Sequence, residues 1–221
     1  PLVLKDVSFK LDAGEKVAVV GRTGAGKSSL AIALFRMVEI ADGSITIDGK
    51  DVRTIPLTVL RSQVAIIAQD PVLFATTIRD NVDPFGRASD AEIRDTLRLC
   101  GLPEDMLQDL DAVVAAEGSN LSFGQRQLVC LARAIIRKPK VLVLDEATSS
   151  IDPGTDELVQ RMIRTHFKAA TVLTIAHRIS TITDSDRVLV MDDGYVAEVD
   201  APHILLTDTE KYPTSIFREL V

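Results

Sequence analysis

The chain has 221 residues, 46% apolar and 26% charged, which suits a globular protein with a sizeable core. A net charge of −7 argues against a nucleic-acid track, which carries a basic surface, whereas a phosphate ligand needs only local positive potential. Two cysteines, Cys100 and Cys130, show no metal or redox spacing and read as small buried hydrophobes of a reducing compartment.

Residues 2–9 alternate apolar and polar, as a half-buried antiparallel strand does, and show no signal-peptide pattern. A chain that opens on a strand is expected to be a piece of something longer. No apolar run approaches the roughly 18–20 residues that a membrane span needs. Val17-Ala-Val-Val20 is a short continuous apolar run, the pattern of a strand covered on both faces.

Directly after it come Gly21, Arg22, Thr23, Gly24, Ala25, Gly26, Lys27, Ser28 and Ser29, and Leu30 to Val38 can continue as a helix. Strand, glycine-rich turn and helix in that order make a complete phosphate-binding loop. The glycines let the backbone fold back so that its N–H groups face a β-phosphate. The helix beginning near Lys27 adds its positive dipole end. Lys27 reaches the β- and γ-phosphates, and the Ser28 hydroxyl can ligate Mg²⁺. The segment therefore predicts binding of a nucleoside triphosphate.

Ser44-Ile-Thr-Ile-Asp48 alternates as a second antiparallel strand, beside a turn signal at Asp48-Gly-Lys50. From about 71 to 135 the segments look helical and are punctuated by Pro71, Pro84-Phe-Gly86 and Gly101-Leu-Pro103. Ser89 and Glu92 predict a helix start, with the helix running through Ile93, Leu97 and Leu99. Ser122 and Gly124, in Asn120-Leu-Ser-Phe-Gly-Gln-Arg-Gln-Leu128, open another helix whose N–H groups form a second anion site. An apolar pattern at Leu131, Ala132, Ala134 and Ile135 follows.

Val141-Leu-Val-Leu144 ends in Asp145 and Glu146, at the carboxyl edge of a buried strand, where ligand sites of open α/β sheets lie. Asp145 is positioned to hold Mg²⁺ through a water, and Glu146 to polarise the water that attacks a γ-phosphate. Thr171–Ile175 and Val188–Met191 are further apolar runs, so the core reads as α/β. Arg161 and Arg164 fall on a solvated helix face, and His166 and His203 have no partner motif.

Taken together, these motifs resemble the ATP-binding-cassette (ABC) ATPases over nearly the whole chain. Residues 120–125 resemble the family's signature, usually Leu-Ser-Gly-Gly-Gln, which assigns Ser122, Gly124 and Gln125 to nucleotide contact. Gln69 resembles the Q-loop glutamine, which touches Mg²⁺ and the attacking water. Ser149-Ser-Ile-Asp152 resembles the D-loop, and His177 the switch histidine that contacts the γ-phosphate. The stretches 21–30, 74–86 and 125–133 are most similar to the second cassette of C-subfamily, multidrug-resistance-associated transporters.

The resemblance implies a P-loop NTPase with a RecA-like α/β core, an N-terminal antiparallel β subdomain and an inserted helical subdomain. The core and β subdomain would occupy about 1–70 and 136–221, and the helical subdomain about 71–135. It implies ATP and Mg²⁺ as ligands, with Glu146, His177, Gln69 and Lys27 catalytic and Ser28, Gln69 and Asp145 on the metal. Its partners would be a non-identical cassette of the same polypeptide and the transmembrane domains of an exporter, at the cytosolic face of a membrane. A regulatory module that gates a channel or receptor-like relative keeps every motif, and a soluble ABC ATPase is the remaining alternative. Phe123 departs from the usual glycine. Either its bulk hampers the approach of a partner's γ-phosphate, or its ring packs away from the site.

Overall fold

The computed structural model describes residues 2–145, 153–176 and 179–221. Glu146, His177 and the segment 149–152 lie outside the described residues. In chain order the elements begin with β1 (Lys16–Gly21), α1 (Lys27–Leu34), β2 (Thr46–Ile47), β3 (Lys50–Asp51), α2 (Leu57–Gln63) and β4 (Val64–Ile67). Then follow α3 (Ile78–Val82), α4 (Asp90–Leu99), α5 (Glu104–Gln108), α6 (Phe123–Arg137), β5 (Val141–Asp145) and α7 (Pro153–His166). The chain ends with β6 (Thr171–Ile175), α8 (Ile179–Thr183), β7 (Arg187–Asp192), β8 (Tyr195–Asp200), α9 (Pro202–Thr207) and α10 (Ile216–Leu220). This is the mixed α/β architecture of a P-loop NTPase. The chain divides into two compact units, Pro1–Val64 with Ala170–Val221, and Ala65–Ala169.

In the first unit the strands lie in the order β6-β1-β7-β8. β1 pairs in parallel with both β6 and β7, while β8 returns antiparallel to β7. The apolar runs make these central strands because both faces are covered: Val17, Ala18, Val19 and Val20 are all buried. Ala18, Val20, Val188 and Val190 share one core with Leu205 of α9 and Phe217 of α10. β2 and β3 form a short hairpin closed by Asp48 and Gly49, both at positive φ, as the Asp-Gly signal requires.

Residues 2–9 form no strand. Lys5 makes one backbone hydrogen bond, to the Gly194 carbonyl, and Asp6 at φ +49° breaks the extended conformation. The second antiparallel strand likewise shortens to two residues, 46 and 47. α1 stops at Leu34 rather than Val38, because Arg36 takes φ +47° and its guanidinium donates to the carbonyls of Val52 and Ile55.

In the second unit β4 and β5 are neighbouring strands, and α3, α4 and α7 pack on α6. α4 begins with a full capping box between Ser89 and Glu92. Ile93, Leu97 and Cys100 face its core, whereas Leu99 is 40% exposed and points outward: the 3.6-residue period carries 93 and 97 to 100, not to 99. Arg161 and Arg164 are exposed along α7. Among the described residues, no helix is long and apolar enough to cross a membrane.

Candidate functional site

In the first unit the loop is built by where β1 must end. At Gly21, φ +152°, a Cβ would lie 2.2 Å from the Met191 carbonyl oxygen, so only glycine passes β7 there. The loop then closes on itself through Ala25 N–H to the Arg22 carbonyl, at 3.1 Å. Gly194, in the turn between β7 and β8, donates its N–H to the Ala25 carbonyl at 3.1 Å and pins the crest. Gly26 takes φ +102° as the N-cap of α1 and gives that helix no side-chain cap.

Lys27, only 8% exposed, turns back across the loop it ends. Its ammonium donates to the carbonyls of Gly21 at 2.7 Å and Arg22 at 3.1 Å. Ser28 is exposed one residue into α1, and Ser29 is half-buried. Arg22, Thr23 and Gly24 are exposed at the crest, and Arg22 reaches Glu219 of α10 at 3.4 Å. A loop-bound ammonium, an exposed hydroxyl and a helix N-terminus without a side-chain cap fit a phosphate group.

In the second unit Asp145 closes β5 after four buried residues, itself half-buried. Gln69 is exposed just past β4. Ser122 caps α6, its hydroxyl accepting from Gln125 N–H at 3.1 Å while Gln125 Oε1 accepts from Ser122 N–H at 2.9 Å. Gln125 thus has a local role, which the family signature does not by itself reveal. The Phe123 ring is half-buried, with the Arg126 guanidinium 5.6 Å from its centroid. Among the described residues, a Cβ on Gly124 would meet Thr155 alone, at an ordinary 3.7 Å.

Lys27 with Gly21 to Ser29 therefore come together in the first unit, and Ser122, Gly124 and Gln125 in the second, where Gln69 and Asp145 also lie. Sequence reasoning missed Gln127, Asn81 and Arg133. Gln127 is buried on α6 and donates to the carbonyls of Ala68 and Gln69. Arg133 donates to the carbonyls of Val72 and Asn81 at 3.1 and 2.6 Å, and the Asn81 amide bonds the backbone of Phe74 in both directions. The available signal was polar residues interrupting the apolar stripe of α6, since a buried amide or guanidinium needs partners.

Comparison with known proteins covers the stretch of chain that holds these residues. The family described as ABC transporter matches residues 4–149. ATP-binding cassette sub-family C member 3 of Rattus norvegicus is 57% identical over 204 residues, covering 91% of this chain and 13% of that protein. Multidrug resistance protein mrp-7 of Caenorhabditis elegans is 52% identical over 214 residues, covering 94% of this chain and 14% of that protein. The chain thus spans 13% and 14% of the length of these two relatives. A solved structure of a bacterial Atm1-family ABC exporter with ATP bound superposes with a TM-score of 0.88 at 36% identity, over 99% of this chain and 38% of that one.

Proposed function

This chain belongs to the ABC transporter family, and from that premise we propose that it is an ATP-hydrolysing cassette that powers solute export. The carrying observation is the first unit's loop, where glycine-only backbone and the Lys27 ammonium converge at the start of α1.

Lys27 exchanges its two carbonyl partners for β- and γ-phosphate oxygens when ATP enters the loop. The backbone N–H groups of residues 24–28 hold the β-phosphate. Mg²⁺ would be held by Ser28, Asp145 and Gln69, an all-oxygen donor set suited to a hard cation, and would spread the charge of the transferring phosphoryl group. Mg²⁺ bound with a nucleotide commonly keeps waters and takes phosphate oxygens beside one or two protein ligands. Glu146 takes the proton of the attacking water, and His177 steadies the γ-phosphate.

A second cassette, non-identical and on the same polypeptide, offers its own signature segment to this chain's ATP and receives this chain's Ser122 and Gly124 at its nucleotide in return. ATP then acts as ligand to both cassettes, so binding favours closure and loss of the γ-phosphate weakens it. Transmembrane domains docked near Gln69 and the helical region 71–135 would follow that cycle, placing the cassette at the cytosolic face of a membrane.

The test is Glu146→Gln, followed by nucleotide binding, turnover and light scattering with and without Mg²⁺-ATP. The expected result is retained binding and turnover down at least about 100-fold; an ATP-dependent rise in molar mass would show that a second copy of this chain can stand in for the non-identical cassette. Normal turnover would remove Glu146 from the mechanism. Binding with no change in mass at protein concentrations up to roughly millimolar, the range tethering supplies, would exclude self-pairing and leave the non-identical cassette as partner.

A further inference from the structure

We propose that Gln127 is a positioning residue for Gln69, acting from the core of α6 on the backbone that carries the metal-facing glutamine; this rests on the assignment of Gln69 to Mg²⁺. Gln127 is 2% exposed, in a helix whose other inward residues there (Leu128, Leu131, Ala134) are apolar. Its Nε2 donates to the Ala68 carbonyl at 3.2 Å and to the Gln69 carbonyl at 2.9 Å. One amide nitrogen thus grips two consecutive carbonyls, which fixes the peptide between them and the direction in which the Gln69 side chain leaves the chain.

That grip matters because β4 ends at Ile67 and regular pairing no longer holds the backbone beyond it. The Gln69 side chain itself is exposed, so packing does not aim it. Further along, Cys130 and Arg133 reach the Val72 carbonyl from the same side of α6. Gln127, Cys130 and Arg133 are spaced three residues apart, so one helix face tracks the segment 68–72. Of the three, only Gln127 touches the peptide of Gln69. Groups that orient a metal ligand change metal affinity or activity by about 10–100-fold when removed.

Gln127 must therefore affect Mg²⁺-dependent turnover and leave nucleotide binding by Lys27 alone. The experiment compares Gln127→Leu, Gln127→Met, Gln69→Ala and the double variant Gln69→Ala with Gln127→Leu, all in the full chain. It reads the nucleotide Kd without metal, kcat, and the Mg²⁺ concentration at half-maximal turnover. Gln127→Leu and Gln127→Met should keep the Kd, lower kcat about 10-fold and raise the half-saturating Mg²⁺ several-fold. The double variant should be no worse than Gln69→Ala, because Gln127 acts through Gln69.

A merely structural role would lower kcat further in the double variant and leave half-saturating Mg²⁺ unmoved; either result overturns the proposal. If Gln69→Ala leaves kcat and Mg²⁺ dependence unchanged, the assignment of Gln69 itself fails, and the proposal with it. If Gln69→Ala changes them and both Gln127 variants do not, only the proposal fails. The unchanged Kd shows that the variants are folded, and Gln127→Met keeps that control should the branched leucine not fit.

Discussion

The Lys27 ammonium donates to the carbonyl oxygen of Gly21 at 2.7 Å, six residues back along the chain, so the loop is closed by its own lysine. The same nitrogen reaches Arg22 O at 3.1 Å. These two acceptors are neutral carbonyls, and an anionic phosphate attracts the ammonium more strongly because two opposite full charges then meet at hydrogen-bond distance. Lys27→Ala should therefore weaken ATP binding by roughly 10–100-fold, the equivalent of one charge-assisted hydrogen bond. Isothermal titration calorimetry measures this directly, and an unchanged Kd would reject the loop as the nucleotide site.

Gly21→Ala tests the same loop from the backbone side. The new Cβ would sit 2.2 Å from Met191 O, and φ +152° is strained for any L residue. Because Met191 is the central-strand residue of β7 paired with Gly21, the clash cannot be relieved by a side-chain rotation. Stability should fall by about 2–4 kcal/mol, read as a lowered urea midpoint with unchanged slope. A midpoint equal to that of the parent chain would show that β1 and β7 can separate at no cost.

Legibility followed the physical origin of each element. β1, β5, β6 and β7 were readable because buried strands need continuous apolar runs, and the P-loop because its glycines answer to backbone geometry. β8 was not readable. Glu198 and Asp200 interrupt its pattern, and a bulge shifts the register between Val190 and Met191, so alternation is lost. At the N-terminus the error ran the other way: residues 2–9 alternate, yet Asp6 departs from the extended conformation. In the site, the residues of the phosphate loop were proposed from type and spacing, and Gln69 and Gln125 from the family resemblance, whereas Gln127 was singled out by neither. Its partners are the carbonyls of Ala68 and Gln69, distant in sequence, which only the fold of the second unit brings to α6.

Glu198 shows what an interrupted strand pattern can be for. Its buried carboxylate accepts from Ser215 Oγ at 3.0 Å, Ile216 N–H at 2.7 Å and Phe217 N–H at 3.2 Å, satisfying the first donors of α10. Phe217 is thereby seated among Ala18, Val20 and Val188. Glu198→Ala should orphan these donors and cost about 2–4 kcal/mol, with the last residues becoming the first site of cleavage in limited proteolysis. Cleavage that begins elsewhere, at an unchanged rate, would show that Phe217 packing alone retains α10.

Glu15 supplies the pH dependence. The Arg187 guanidinium forks onto it, Nε to Oε1 and Nη2 to Oε2 at 2.9 Å, and also donates to the Lys10 carbonyl. That hydrogen bonding holds the Glu15 carboxyl below its ordinary range; burial opposes the shift, and the Asp12 N–H, at 2.7 Å, adds to it. A depressed folded value means that the stabilisation is present above the unfolded pKa, about 4.3, and is lost as pH falls through the folded one. Glu15→Gln should cost about 1.5–3 kcal/mol at pH 7, the range for hydrogen bonds to charged groups. The parent and variant denaturation curves should then converge below roughly pH 4 as the parent's carboxylate is protonated. A gap of the same size at pH 3 would mean that the carboxylate's charge is not what Arg187 holds, and that the fork acts through shape alone.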